Sequence, residues 1–222
     1  MSNISRFILL ATSMFIMAQT VSAHAINYTM EQAPGSEVWL YYGKLGYLHI
    51  LPYGLDHILF VVGLCLLSKN IKVIAYQATA FTIAHSITLA LSLKGIIAAP
   101  PAIVEPIIAL SIAFIAVENI MLNELKSWRV LVIFLFGLIH GMGFASSLNE
   151  IGLPRNQFLE SVAAFNVGVE LGQLTIILVV YEILIRFFGQ RRWYRQRIVF
   201  PLSALIAVIA VFWTIERIVH MA

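Results

Sequence analysis

From about residue 47 to residue 219 this chain is a succession of long apolar runs separated by short charged or proline-containing links. Each run reaches the roughly 20 residues that a helix needs to cross the hydrocarbon core of a bilayer. Lipid offers no water to satisfy backbone amides and carbonyls, so a spanning segment must satisfy them internally, as a helix does. The chain is 60% hydrophobic and 11% charged, whereas soluble domains carry about 25% charged residues. The expected fold is therefore all-α and integral to the membrane: a six-helix transmembrane bundle following a cleavable signal peptide.

Residues 1–23 read as that signal peptide. Arg6 supplies a basic start, an apolar stretch follows to Thr20, and Val21-Ser22-Ala23 offers small residues for cleavage. Cleavage after Ala25 is the alternative site. Cutting after Ala23 would make His24 the mature terminus, where its amino group and imidazole could together chelate a metal. Residues 24–46 read as a periplasmic or interfacial stretch, and residues 47–222 as the six-span domain. The spans are expected at 47–68, 73–93, 102–122, 130–148, 158–187 and 198–219. Links this short predict antiparallel packing of successive helices. Pro52 and Gly54 predict a kink or local unwinding in the first span.

Charge sets the orientation. The first, third and fifth links and their flanks hold Lys69, Lys72, Lys126, Arg129, Arg186, Arg191, Arg192, Arg195 and Arg197. The other side keeps Lys44, Lys94, Arg155 and Arg217. By the positive-inside rule the basic side is cytoplasmic, which leaves the N-terminus periplasmic. The net charge of +3 thus reports topology; nucleic acid is not an expected partner. Cys65, the single cysteine, excludes an intrachain disulfide or a cysteine-rich metal site.

Against this apolar background the polar residues stand out. Asp56 is the chain's one aspartate, and a carboxylate at mid-bilayer costs about 2.5–3.5 kcal/mol on insertion scales. It needs a cation, a proton partner or a watery cavity. His57 follows it directly and His49 lies about two turns earlier. His85 falls past the middle of the second span, with Thr82 and Ser86 beside it. Glu105 opens the third span, and His140 lies beyond the midpoint of the fourth. Asn166, Glu170 and Gln173 share one face of the fifth at i, i+4, i+7 spacing. Glu118 is about 20 Å along its helix from Glu105 and cannot share a compact site with it.

Each group has a structural reading beside the functional one. His85 and His140 serve equally as interhelical hydrogen bonders or as ligands, Glu105 as a headgroup-level acid, and Asn166 and Gln173 as packing contacts. Glu182 and Glu216 are expected to pair with Arg186 and Arg217 at the interface. Taken together, His49, Asp56, His57, His85, His140, Glu105 and Glu170 form an N/O ligand set suited to Ni²⁺, Zn²⁺ or Co²⁺. Ser86, Thr82, Asn166 and Gln173 are then candidates to orient the ligands.

The runs His49-Ile-Leu-Pro-Tyr-Gly-Leu-Asp56-His57, Phe81-Thr-Ile-Ala-His85-Ser86, Val104-Glu105-Pro106, Phe136-Gly-Leu-Ile-His140-Gly141 and Phe165-Asn-Val-Gly-Val-Glu170-Leu-Gly-Gln173 occur in order on successive spans. This pattern resembles the HupE/UreJ family of hydrogenase- or urease-associated membrane proteins, several of which are treated as nickel permeases. The resemblance implies a bacterial inner-membrane protein that passes Ni²⁺, with metalloenzyme maturation proteins as possible partners. Two features depart from the nickel-permease pattern. His49 stands one residue further from Asp56, and no acid follows His140-Gly141. Transport is the leading expectation. A zinc-dependent intramembrane hydrolase acting on a lipid or lipid-linked substrate is the alternative, and a metal sensor or assembly factor is a third.

Overall fold

The computed structural model describes residues 30–221. The expected signal peptide, both cleavage sites and His24 lie outside the described residues. Seven main helices are present: α1 (Gly35–Ile50), α2 (Leu55–Leu67), α3 (Ile71–Leu93), α4 (Pro101–Met121), α5 (Arg129–Ile151), α6 (Phe158–Val180) and α7 (Phe200–Met221). Wider π-helical turns prolong α6 through Tyr181–Ile185 and lead into α7 through Arg195–Val199. Local chemistry fixes several ends. The Asn70 side chain caps α3 by accepting from the Lys72 amide at 3.0 Å, and Pro101 opens α4, where the missing amide proton costs nothing.

Five helices are long and apolar enough to cross a membrane, and α1 with α2 make a sixth, broken span. Burial identifies the solvent. The most apolar span, Arg195–His220 with a mean hydropathy of 2.5, is also the least buried, at 22%. Leu205, Val208, Phe212 and Ile215 project from it without protein cover. Water would penalise such a surface, whereas lipid accepts it. The chain is a multi-pass helical membrane protein.

The broken span differs from the expected one. α1 begins at Gly35, within the stretch read as interfacial, and buries Val38, Tyr42, Gly46 and Ile50. The break falls at Leu51-Pro52-Tyr53-Gly54, where proline cannot donate an amide proton, and α2 leaves at 69° to α1. The expected kink is present, but as a complete interruption. α2, with 13 residues, is only about 20 Å long and cannot cross alone.

Helix pairing departs further from expectation. The most extensive partners are α1 with α6, α3 with α5, and α4 with α7. None of these pairs is consecutive in the chain, and the first two run parallel. Gly46 of α1 lies against the Phe165 backbone of α6, and Gly168 against Gly43, so closely that a Cβ would overlap backbone atoms. Gly137 and Gly141 of α5 meet the Phe81 and His85 carbonyls of α3 in the same way. Small residues let two backbones approach, and in lipid such contact replaces the hydrophobic drive for association. These contacts outweigh the short links, which hold neighbours in sequence but not in close packing.

α2 packs against α3, α4, α6 and α7 in the interior. The end of the bundle where α4 begins and α3, α5 and α7 finish is called the upper end below, and the opposite end the lower.

Candidate functional site

The break at residues 51–54 brings the last turn of α1 onto the first turn of α2. His49 and His57 therefore face each other, with ring centroids 4.7 Å apart. His85 of α3 stands 6.3 Å from His49 and 6.1 Å from His57, and His140 of α5 stands 5.1 Å from His57. Four imidazoles from four helices thus meet in one place. His57, His85 and His140 are buried and His49 is partly so. His140 stands at the middle of its helix.

Nitrogens of His49, His57 and His85 lie within 4.8 Å of one another. In each of the three rings Nε2 is buried without a hydrogen-bond partner among the described residues. A buried polar atom left unpaired is costly, and three rings that each carry one, with nitrogens this close together, mark a place for a ligand. Zn–N bonds of about 2.0–2.1 Å in a tetrahedron put the nitrogens ~3.4 Å apart, so the triangle need close by no more than ~1.4 Å.

Outer partners set the tautomers of two of these rings. His57 Nδ1–H donates to Asp56 Oδ1 at 3.2 Å, and the His57 backbone amide donates to the same oxygen at 3.0 Å. His85 Nδ1–H donates to Asn166 Oδ1 at 3.4 Å, and the Asn166 amide is itself fixed by donating to the Val162 carbonyl at 2.8 Å. In both rings the proton sits on Nδ1 and the lone pair on Nε2, which is the form a metal ligand requires. His140 is held in the opposite sense. Ser111 donates to the Ile108 carbonyl at 2.7 Å, so its oxygen accepts from His140 Nε2–H at 3.0 Å. That leaves a lone pair on Nδ1, which is buried and has no partner among the described residues.

Aromatic rings enclose the group. Phe144 lies 3.8 Å from His49 between centroids and stacks on Phe165 at 5.2 Å, while Phe81 packs on His140 at 4.9 Å. Towards the upper end a cavity of about 260 Å³ leads in, lined by His49, Asp56, His57, Glu105, His140, Phe144 and Arg217, among others. Glu105 is thus at the mouth rather than among the three nitrogens.

The remaining candidates fall elsewhere. Glu170 accepts from Thr79 Oγ1 at 2.6 Å, and Thr82 donates to Gln173 Oε1 at 3.3 Å, both across the α3–α6 seam. With Asn166 they continue the polar seam that starts at His85. Ser86 donates to the Thr82 carbonyl at 2.6 Å, back onto its own helix, and does not orient a ring. Three residues outside the expected site matter. Ser111 is a lone hydroxyl in the apolar run of α4. Arg217, expected to pair with Glu216, turns instead towards Asp56, at 3.9 Å. Arg129, expected at the cytoplasmic surface, is wholly buried at the lower end and pairs with Glu118 at 3.1 Å. By contrast Glu182 and Arg186 do pair on the surface, at 2.7 Å.

Fold and site together define a helical membrane protein with a histidine cluster enclosed between its spans. The family model described as HupE / UreJ protein matches residues 24–217, and the chain belongs to this family. Membership implies a transition-metal accessory or transport role. No curated protein and no solved structure gives a match.

Proposed function

We propose that this protein is a nickel permease of the bacterial inner membrane. Ni²⁺ is the cargo, and His49, His57 and His85 are the nitrogen donors that strip its water. The observation that carries this reading is a triangle of imidazole nitrogens from His49, His57 and His85 within 4.8 Å of one another, of which His49 and His57 also line the cavity that opens towards one end of the bundle. Imidazole suits nickel as well as zinc, and among the described residues neither a thiolate nor a carboxylate joins the three nitrogens.

Ni²⁺ enters past Glu105 and Asp56 from the upper end, which the charge distribution makes periplasmic. Asp56 attracts the ion and keeps the His57 lone pair exposed. His140 Nδ1 offers a further donor beside the triangle. Exit follows the α3–α6 seam, where Asn166, Glu170 and Gln173 give oxygen contacts at successive turns of α6. Donors that are few and separable bind firmly enough for entry and weakly enough for release. Maturation proteins of a nickel enzyme would receive the ion on the cytoplasmic side. The family match begins at residue 24, immediately after the expected cleavage at Ala23.

The test is Ni²⁺ uptake into proteoliposomes by the intact protein and by His57→Ala. Saturable uptake that vanishes in the variant is the expected result. A hydrolase draws on the same nitrogens, since catalytic zinc takes three protein ligands and an open position. Tight Zn²⁺ binding without any uptake of Ni²⁺, Co²⁺ or Zn²⁺ would move the assignment there.

A further inference from the structure

Arg217 is out of place at the mouth of a cation site. It lines the same cavity as His49, Asp56, His57 and His140. Its Nη2 stands 3.9 Å from Asp56 Oδ2, while Nη1 donates to the Glu105 carbonyl at 3.0 Å. The guanidinium also lies over the Trp213 ring, 5.7 Å from its centroid. Three contacts on three sides hold the charge there: a carboxylate from α2, a carbonyl from α4 and an indole from its own helix. The two oxygens of Asp56 are divided accordingly, Oδ1 to His57 and Oδ2 to Arg217.

We infer that Arg217 is a tethered counter-cation that occupies the outer oxygen of Asp56 until a divalent cation displaces it. The inference rests on the metal-site reading above and adds a control to it. Without a positive charge nearby, an enclosed carboxylate beside three imidazoles would hold any cation that reached it. Arg217 supplies that charge from within the chain. An arriving ion must be divalent, or otherwise bind the imidazoles strongly, to outcompete a tethered guanidinium that carries one charge. Sodium and potassium, with neither advantage, are refused. The 3.9 Å separation and the exposure of both groups, 23% and 25%, mark a contact that can be exchanged without dismantling the fold. The Glu105 carbonyl and Trp213 retain the guanidinium on the cavity wall, so it can return when the ion moves on.

The experiment measures Ni²⁺ and Zn²⁺ affinity and dissociation rate of the purified protein in detergent, for the intact chain, Arg217→Lys, Arg217→Gln and Arg217→Met. Methionine keeps an apolar stem of similar reach against Trp213 while removing the charge. Both neutral variants should bind about tenfold tighter or more and release more slowly, because one positive charge has left the neighbourhood of a divalent ion in a partly desolvated site. Lysine should remain within about threefold of the intact protein, since it preserves the charge. Unchanged or weaker binding in both neutral variants would overturn the inference while leaving the metal site standing. Failure of the intact protein to bind either ion would remove the site reading and the inference with it. A readout without any Arg217 variant is Trp213 emission during Zn²⁺ titration, using Trp213→Phe as the blank. Displacement of the guanidinium should change that emission; saturating Zn²⁺ with no change would contradict it.

Discussion

Two buried polar clusters stand at different depths of this bundle, and they are built on opposite principles. At the lower end Glu118 and Arg129 neutralise each other at 3.1 Å, Arg129 donates to Asn119 at 3.3 Å, and Asn119 ties α4 to the Gly63 carbonyl of α2 at 2.8 Å. Its charges are matched within the protein. The histidine cluster instead leaves ring nitrogens buried with no hydrogen-bond partner among the described residues. The first cluster closes on itself and fastens helices; the second is complete only when something arrives. Burial of polar groups in a membrane therefore does not by itself locate function. Atoms without hydrogen bonds occur in both clusters, but those of Glu118 and Arg129 belong to an ion pair, whereas the Nε2 atoms of the proposed metal site belong to none among the described residues.

The comparison breaks most readily at Arg129. Replacing it by Met strands the Glu118 carboxylate, and losing one partner of a buried pair costs about 3–5 kcal/mol. Thermal unfolding in detergent should show that loss, with Ni²⁺ affinity unchanged in the protein that remains folded. Adding Glu118→Leu should recover most of the stability. His85→Ala should behave in the reverse way. By isothermal titration it should weaken Ni²⁺ binding beyond the 10–100-fold typical of losing an outer partner, with far less effect on melting than Arg129→Met. Asn166→Ala frees His85 to take the wrong tautomer and should cost about 10–100-fold in the same titration. Glu170→Gln is expected to have the smallest effect on binding, within about twofold, because Glu170 meets Thr79 and not the three nitrogens. Its uptake rate in proteoliposomes should nevertheless fall, since it lies on the proposed exit seam.

The sequence made some of this legible and concealed the rest. His57 and His85 were visible because a single polar residue in an apolar run must be compensated, whatever its partner. Pro52 and Gly54 announced the interruption for a similarly local reason. Pairing was hidden because short links argue for neighbours, whereas Gly46, Gly168 and Gly141 act through backbones that sequence does not place opposite them. The spacing Gly137-xxx-Gly141 and Gly168-xxx-Gly172 was the available signal for close crossings. Arg217 was misplaced because a long side chain near a helix end can reach water or turn inwards, and only the position of Asp56 decides. Ser111 carried no signal, being one hydroxyl whose role depends on a ring 29 residues away.

The interruption between α1 and α2 has one more consequence. His49 belongs to the half that is glycine-locked to α6, whereas His57 belongs to the half tied to α4 through Asn119. An ion held by both rings is thus a clasp across a hinge. Where opening the 69° angle draws the two rings apart it loosens the clasp, and reciprocity of coupled equilibria then requires that the clasp resist opening to the same extent. Affinity for the ion is in this sense a gauge of an angle, readable in solution without seeing the helices move.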